Sequence, residues 1–369
     1  MAKRTRRPAR AGSSLPKGEL GETLSHVKTQ YGKNTVNIAR DIPQPPRIST
    51  GSFILDFALL GGFPEGRGSM VVGERHGGKS MLAMKVAAAA QAMYPDQTPV
   101  YIDVERTFDA TWARKLGVDT SSMPVIECDS GEMAVDVTEA TIASAESSLV
   151  IVDSIAAITP MREIDDSAGD QHVGLQARLV AKMIRKTTSA LTKERLRDHR
   201  VTLLFVNQFR SKIGVTYGDP RSIPGGKALE YCTSVQVIMK NKENKGKDDM
   251  AVEAIEMNEH AFTITKNKMN NGPRSGEFNL IRVGEDEGKI DDSKTVLAYA
   301  KKFGIYSGGG TRWKLEVGEN ETVTFGKAEE AVRALRGDPE MYWRLRNRII
   351  SLQAVKLDMP AAFIKGIGK

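Results

Sequence analysis

Five apolar runs between residues 48 and 283 set the pattern of the chain. They are short and continuous, without the apolar–polar alternation of a strand that has one solvated face. Continuous runs are typical of strands that helices cover on both faces, as in a mostly parallel sheet. The predicted strands span residues 69–72, 100–103, 149–152, 201–206 and 234–238.

Longer stretches between these runs predict helices at residues 81–92 and 175–191, the second with its apolar residues on one face. The two patterns together predict an α/β fold with a mostly parallel sheet, over a core at residues 48–288. We expect a small N-terminal helical arm at 19–40, which a proline-rich linker extends to residue 47. A small C-terminal α+β lobe is expected at 289–369, with helices at 292–303, 326–336 and 338–353.

The net charge of +7 comes mostly from the first 17 residues, which carry six basic side chains and no acid. This composition predicts a flexible tail over residues 1–18, and two interpretations stay open: a solvated tail, or an arm that touches DNA. The chain has two cysteines, too few for a disulfide framework, and no apolar run of about 20 residues. We therefore expect a cytoplasmic protein without a membrane partner.

The segment Gly73-Glu-Arg-His-Gly-Gly-Lys-Ser80 matches the phosphate-binding pattern G-x-x-x-x-G-K-[ST]. Backbone N–H groups of the loop that contains Gly73, Gly77 and Gly78 would cradle the phosphates of ATP. Lys79 would neutralise the β- and γ-phosphates, and the Ser80 hydroxyl would bind Mg²⁺. A chance glycine turn is the alternative, but a predicted strand precedes the segment and a predicted helix follows it. The α/β core is therefore predicted to be a P-loop ATPase.

Three further polar residues follow predicted strands: Glu105, Asp153 and Gln208. The carboxyl ends of parallel strands meet at the crevice where ligands bind. Asp153 fits the acid that holds Mg²⁺ through water, Glu105 the base that orients the attacking water, and Gln208 a sensor of the γ-phosphate. A helix cap or turn acid is the alternative for any one of them, whereas three on three strands favour one site.

Two long loops follow these strands. Residues 209–227 are rich in glycine and carry four basic side chains against one acid, which suits a phosphodiester chain. Ile213 within this loop could act as an apolar wedge between bases. The loop at 161–173 is more acidic. For the two loops, docking of a protein partner is the alternative to DNA binding.

Several segments resemble the RecA family of bacterial recombinases, in order, from about Leu20 to about Leu352. They are Ile48-Ser-Thr-Gly-Ser52, Tyr101-Ile-Asp-Val-Glu105, Ala113–Asp119, Ile151–Pro160, Val206–Val215, Gly225-Gly-Lys-Ala-Leu229 and Lys266-Asn-Lys268. The resemblance implies a DNA-dependent ATPase of recombination and repair. It also implies a helical homo-oligomer on single-stranded DNA, with ATP between subunits, that pairs the strand with a homologous duplex.

The resemblance also implies roles for single residues. The phosphate-loop and strand-end residues keep the roles given above, and Asp109 and Trp112 match residues that hold adenine. Lys266 and Lys268 match lysines that reach the ATP of a neighbouring subunit, with an exposed strand-end pair as the alternative.

For DNA, the resemblance implies two sets of residues. The side chains that separate base triplets match Val173 and Ile213. The residues that contact the DNA backbone match Arg178, Arg185, Arg210, Lys212, Gly225 and Gly226.

The chain also departs from the family. Arg75 and His76 stand where the family has small residues, Glu230 replaces a basic residue, and no acidic tail precedes Lys369. Two other functions stay open: a ring-forming DNA motor or helicase on the same core, and a nucleotide-gated DNA-binding scaffold with little hydrolysis. The intact Glu105 and the lysine pair Lys266 and Lys268 argue against the scaffold.

Overall fold

The structure is a computed structural model that describes residues 15–39, 42–166, 174–211, 221–242, 257–318 and 321–367. Its strands are β1 (Arg47–Ile48), β2 (Phe63–Pro64), β3 (Gly68–Gly73), β4 (Val100–Asp103), β5 (Val125–Glu127), β6 (Leu149–Asp153), β7 (Thr202–Gln208), β8 (Arg210–Ser211), β9 (Arg221–Ser222), β10 (Val235–Asn241), β11 (Met257–Asn267), β12 (Ser275–Ile281), β13 (Tyr306–Gly309), β14 (Arg312–Glu316) and β15 (Thr322–Phe325).

The helices, in chain order, are α1 (Glu19–Tyr31), α2 (Phe53–Leu59), α3 (Lys79–Met93), α4 (Ala110–Lys115), α5 (Gly131–Ala143), α6 (Met161–Asp165), α7 (Leu175–Leu196), α8 (Gly226–Cys232), α9 (Ser293–Lys302), α10 (Ala328–Gly337), α11 (Pro339–Lys356) and α12 (Ala361–Ile364). Among the described residues, no helix is both long and apolar enough to cross a membrane.

An eight-stranded sheet, in the order β12-β11-β10-β3-β7-β6-β4-β5, carries the site described below. The strands from β10 to β5 are parallel, and β11 and β12 extend one edge as an antiparallel pair. Val71 belongs to the apolar cluster that includes α3, whereas its neighbours Met70 and Val72 belong to the cluster that includes α5 and α7. Because successive strand side chains face opposite sides and both sides are covered, the parallel strands have continuous apolar sequences.

The predicted α/β class with a mostly parallel sheet is confirmed. All five predicted strands are present: β4 has the predicted bounds, and the other four have shifted ends. Within the helical arm predicted at 19–40, the helix α1 ends at Tyr31. Gly32 follows it with φ 103°, which favours glycine and ends the helical path.

The C-terminal part contains the three predicted helices as α9, α10 and α11, and β13–β14–β15 form an antiparallel sheet beside them. The prediction of an α+β lobe is thereby confirmed. Its apolar cluster includes Phe53 and Phe57 from α2, which pack edge-to-face against Tyr299 of α9. The boundaries predicted for the parts of the chain stay predictions.

The described residues of the loop at 209–227 are partly regular. β8 and β9 pair as a short antiparallel ladder, and α8 begins at Gly226. Asn207 at the end of β7 donates from Nδ2 to the carbonyl oxygen of Pro224, at 2.9 Å. This bond ties the far end of the loop to the sheet.

Candidate functional site

The phosphate-binding motif lies between the end of β3 and the start of α3, as its sequence pattern requires. Gly73 is the last residue of β3, and α3 begins at Lys79. A Cβ on Gly73 would lie 2.3 Å from the carbonyl oxygen of Met239 in β10. Only glycine allows this approach of loop and strand, so the first position of the motif is fixed by packing as well as by phosphate chemistry.

Lys79 is buried with its ammonium group turned back onto the loop. Its Nζ donates to the carbonyl oxygen of Glu74 at 2.6 Å. Burial lowers the pKa of Lys79, and the nearby carboxylates of Asp153 and Glu105 offset part of that shift. The negative charge of a bound triphosphate would balance the positive charge of this buried ammonium group.

Asp153 ends β6 and is 5% exposed. Its Oδ2 accepts a hydrogen bond from the Tyr101 hydroxyl at 2.6 Å, and the Ser80 hydroxyl lies near this carboxylate. Burial raises the pKa of Asp153, and the Ser80 and Tyr101 hydroxyls offset part of the rise. A buried carboxylate beside a hydroxyl is a pair of hard oxygen ligands that suits Mg²⁺.

Glu105 lies two residues beyond the end of β4 and faces Gln208. Its Oε1 accepts hydrogen bonds from Gln208 Nε2, at 2.5 Å, and from the Ser154 hydroxyl. Gln208 ends β7, and the next residue of the chain begins the loop at 209–227. The hydrogen bond between Glu105 and Gln208 therefore connects the Glu105 carboxylate directly to the start of that loop.

The register of the sheet explains why these residues meet. Gly73 pairs with Gln208, and Asp103, two residues before Glu105, pairs with Asp153. The carboxyl ends of β3, β4, β6 and β7 therefore lie side by side at one end of the parallel strands, as the sequence predicted.

A cavity of about 620 Å³ continues from the phosphate loop. Trp112, one of the two predicted adenine contacts, lines it together with Lys79 and Ser80. Asp109, the other, caps α4 by accepting from the backbone N–H groups of Thr111 and Trp112, at 2.8 and 3.1 Å. The structure thus gives Asp109 a local structural role and places the Trp112 ring at the cavity.

Comparison with known proteins identifies the family to which this chain is similar. The model of the RecA N-terminal domain family matches residues 18–285. RecA of Bifidobacterium longum is 35% identical over 337 residues, which cover 90% of this chain and 80% of the relative. RecA of the Wolbachia from Brugia malayi is 38% identical, over 78% and 79% of the two chains, and RecA of Corynebacterium glutamicum 34%, over 94% and 87%.

The chain belongs to the RecA family. Membership makes it an ATP-binding, DNA-dependent ATPase that acts as a recombinase in DNA recombination and repair. A ring-forming helicase and a scaffold with little hydrolysis are not favoured by this assignment.

Two residues predicted to act on ATP lie away from the phosphate loop of their own RecA-family subunit. Lys266 pairs with Gln236 near the start of β10, whereas Met239, near its end, lies beside Gly73. The Nζ of Lys266 donates to the carbonyl oxygens of Glu230 and Tyr231, and that of Lys268 to Tyr231 at 3.2 Å. The lysine pair therefore sits at the C-terminal end of α8, where helix carbonyls attract cations.

Three predicted DNA contacts are arginines in described parts of the chain. Arg178 and Arg185 are exposed and stand two turns apart on α7. Arg210 is exposed and donates to Gln176 Oε1 at 3.1 Å and to the carbonyl oxygen of Ala156 at 2.7 Å.

The remaining predicted DNA residues divide into two groups. Gly225 and Gly226 have φ of 95° and 68° at the start of α8. A Cβ on Gly225 would lie 3.0 Å from Val180 of α7, so glycine permits close packing there. Val173, Lys212 and Ile213 lie outside the described residues.

No motif or pattern in the sequence pointed to the far wall of the ATP-side cavity. Asn241, Asn258, His260 and Arg282 line it, from β10, β11 and the residues after β12. They are more than 150 residues from the phosphate loop, and only strand pairing brings them to it. Tyr101, which donates to Asp153, lies within a strand predicted from its apolar run, and nothing in the sequence singled it out as a site residue.

Proposed function

We propose that this RecA-family chain hydrolyses ATP at the loop Gly73–Ser80 while assembled on single-stranded DNA, and that the cycle drives pairing with a homologous duplex. The convergence of Lys79, Glu105 and Asp153 at the carboxyl ends of the parallel strands carries this proposal. Family membership supports the reaction, and the geometry supports the assignment of residues.

Mg²⁺ is the metal that the site suits. The Ser80 hydroxyl and the Asp153 carboxylate are adjacent oxygen donors, and burial of Asp153 favours a cation nearby. Among the described residues, no group of three or more His, Cys, Asp or Glu side chains is placed to hold a metal ion. Phosphate oxygens and water would supply the other ligands, as is usual for Mg²⁺, and the bound ion would neutralise phosphate charge.

Glu105 is the proposed base. Ser154 and Gln208 both donate to Oε1 of its carboxylate, and Oε2 has no donor among the described residues. Oε2 can therefore orient a water molecule and accept its proton. Gln208 is the proposed sensor, because an amide that leaves Glu105 for a γ-phosphate oxygen would move the first residues of the loop behind it.

Lys266 and Lys268 are proposed to complete the ATP site of a neighbouring subunit. Lys266 lies near the amino end of β10, away from the phosphate loop of its own subunit, which supports a role at another subunit's site. The bonds of the lysine pair to the end of α8 also link it to the loop at 209–227, since α8 begins at Gly226 within that loop. Adenine is proposed to contact Trp112, with Asp109 beside it.

The proposed DNA path runs over the exposed side of α7 and the loop at 209–227. Arg178, Arg185 and Arg210 present guanidinium groups there, and Lys212 belongs to the same loop. Guanidinium and ammonium groups attract phosphates regardless of base sequence. Further contacts are proposed for Gly225 and Gly226, whose backbone can approach a phosphate, and for Val173 and Ile213, which would separate bases.

Glu105→Gln tests the proposed base. The amide keeps the shape and can accept from Gln208 and Ser154 through its oxygen, so ATP and DNA binding should persist. Hydrolysis in the presence of single-stranded DNA should fall at least about 100-fold, within the usual contribution of a general base. Phosphate release and binding of a slowly hydrolysed ATP analogue are measured side by side.

Glu127→Gln is the matched control, because Glu127 is exposed and ends the neighbouring strand β5, opposite Asp103. It should keep wild-type turnover. Near-normal hydrolysis by Glu105→Gln would remove Glu105 from the mechanism. Lys79→Ala should instead lose tight ATP binding, and tight binding by that variant would contradict the proposed site.

A further inference from the structure

The imidazole of His260 is buried beneath the phosphate loop without a hydrogen-bond partner. The residue is 2% exposed, and both ring nitrogens lack a partner. A Cβ built on Gly78 would lie 2.7 Å from both Cε1 and Nδ1 of the ring. The imidazole thus occupies the space that the missing side chain of Gly78 leaves open.

Strand pairing holds the ring in this position. His260 lies in β11 between Asn241 of β10 and Phe278 of β12, and its ring centroid is 5.6 Å from that of Phe278. Asn258, two residues earlier in β11, points to the same face. All three polar side chains line the cavity that continues from the phosphate loop.

Burial of the ring favours its neutral form. Burial lowers the pKa of His260, and the backbone of Gly77 offsets part of the shift without making a hydrogen bond of good geometry. A neutral imidazole has one N–H donor and one acceptor. Leaving both unpaired in a buried site is unfavourable, so a partner arriving with the ligand would be favoured.

We infer that His260 is a nucleotide-site residue: its ring supports Gly78, and in the occupied site its N–H donates to an oxygen of the bound nucleotide. The inference rests on the proposed use of this cavity for ATP and adds a residue to it. The observations that carry it are the contact with Gly78, the unpartnered nitrogens and the place of the ring in the cavity wall.

Three substitutions separate the hydrogen bond from packing. His260→Phe keeps a ring against Phe278 and Gly78 but has no donor, whereas His260→Asn and His260→Gln place an amide near Nδ1 and near Nε2. The affinity for a slowly hydrolysed ATP analogue is measured by calorimetry. His260→Phe should bind about tenfold more weakly, the loss expected of one hydrogen bond to a charged acceptor. At least one amide variant should recover most of that loss.

His199 provides the matched control. It is also a mostly buried histidine whose ring nitrogens lack hydrogen bonds, with Glu194 3.6 Å away, and it does not line the cavity. His199→Gln should bind the analogue as the wild type does. Normal binding by His260→Phe, or equal weakening in all three His260 variants, would overturn the inference.

A measurement on the wild type covers the case of a variant that does not fold. The ring nitrogens of the five histidines are followed by NMR with and without the analogue. The resonances are assigned by substituting the other four histidines one at a time. The His260 signals should shift on saturation, and unchanged signals would overturn the inference. If the wild type binds no nucleotide at all, the proposed function fails instead.

Discussion

The ion pair between Asp56 and Arg346 should be a large contributor to the stability of the folded chain. Asp56 is fully buried in α2, and Arg346 of α11 is 5% exposed. The Asp56 carboxylate also accepts from the Ser49 hydroxyl at 2.6 Å and from the Thr50 backbone N–H and hydroxyl at 2.8 and 2.7 Å. The pair therefore joins the C-terminal helices to α2, with the carboxylate fully satisfied.

Arg346→Met keeps most of the side-chain volume but leaves the Asp56 charge buried without its cation. Removing one partner of a buried pair costs about 3–5 kcal/mol. Asp56→Asn should cost a similar amount, since it leaves the guanidinium group without its carboxylate. The double variant should lose less than the sum of the two, because neither unpaired charge remains, and the coupling should be at least about 2 kcal/mol.

The assay is urea denaturation of the wild type, both single variants and the double variant at low ionic strength. Far-ultraviolet circular dichroism and tryptophan fluorescence follow the transition, and the free energy of unfolding is extrapolated to water. Additive losses, or a loss below about 1 kcal/mol in Arg346→Met, would refute the reasoning. In that case the apolar contacts of α11, and not the ion pair, would hold the lobe.

Four further predictions follow from single features. Burial raises the pKa of Asp292 to about 7, so folding stability should fall as pH rises from about 4 through 7, and Asp292→Asn should remove much of that fall in urea titrations. Replacing Lys266 and Lys268 with alanine should suppress DNA-stimulated ATP hydrolysis while leaving the melting temperature near that of the wild type; unchanged stimulation would exclude the trans role. Arg210→Ala should lower the slope of log K against log salt by roughly 0.7 for single-stranded DNA of any sequence, and an unchanged slope would move the DNA path elsewhere. Deleting residues 1–17 should shift duplex binding to lower salt and spare DNA-stimulated hydrolysis, whereas identical duplex binding would show those residues to be an inert tail.

Local sequence was enough to predict the central part of the fold and the ATP-side residues. The parallel strands are buried on both faces, so their apolar runs are continuous and stand out. The phosphate loop has a fixed spacing, and polar residues at strand ends share one edge of any parallel sheet. Glu105, Asp153 and Gln208 could therefore be placed together before any contact was known.

Tertiary structure alone decided the contacts that depend on pairing between distant strands and helices. β11 and β12 join the sheet as antiparallel strands, and their register determines that His260 lies beneath Gly78. The same register places Lys266 near the amino end of β10, away from the phosphate loop. Asp56 and Arg346 meet across 290 positions of sequence. Periodicity reports which face of an element is buried, but which element covers that face, and in which register, is set by packing of the whole chain.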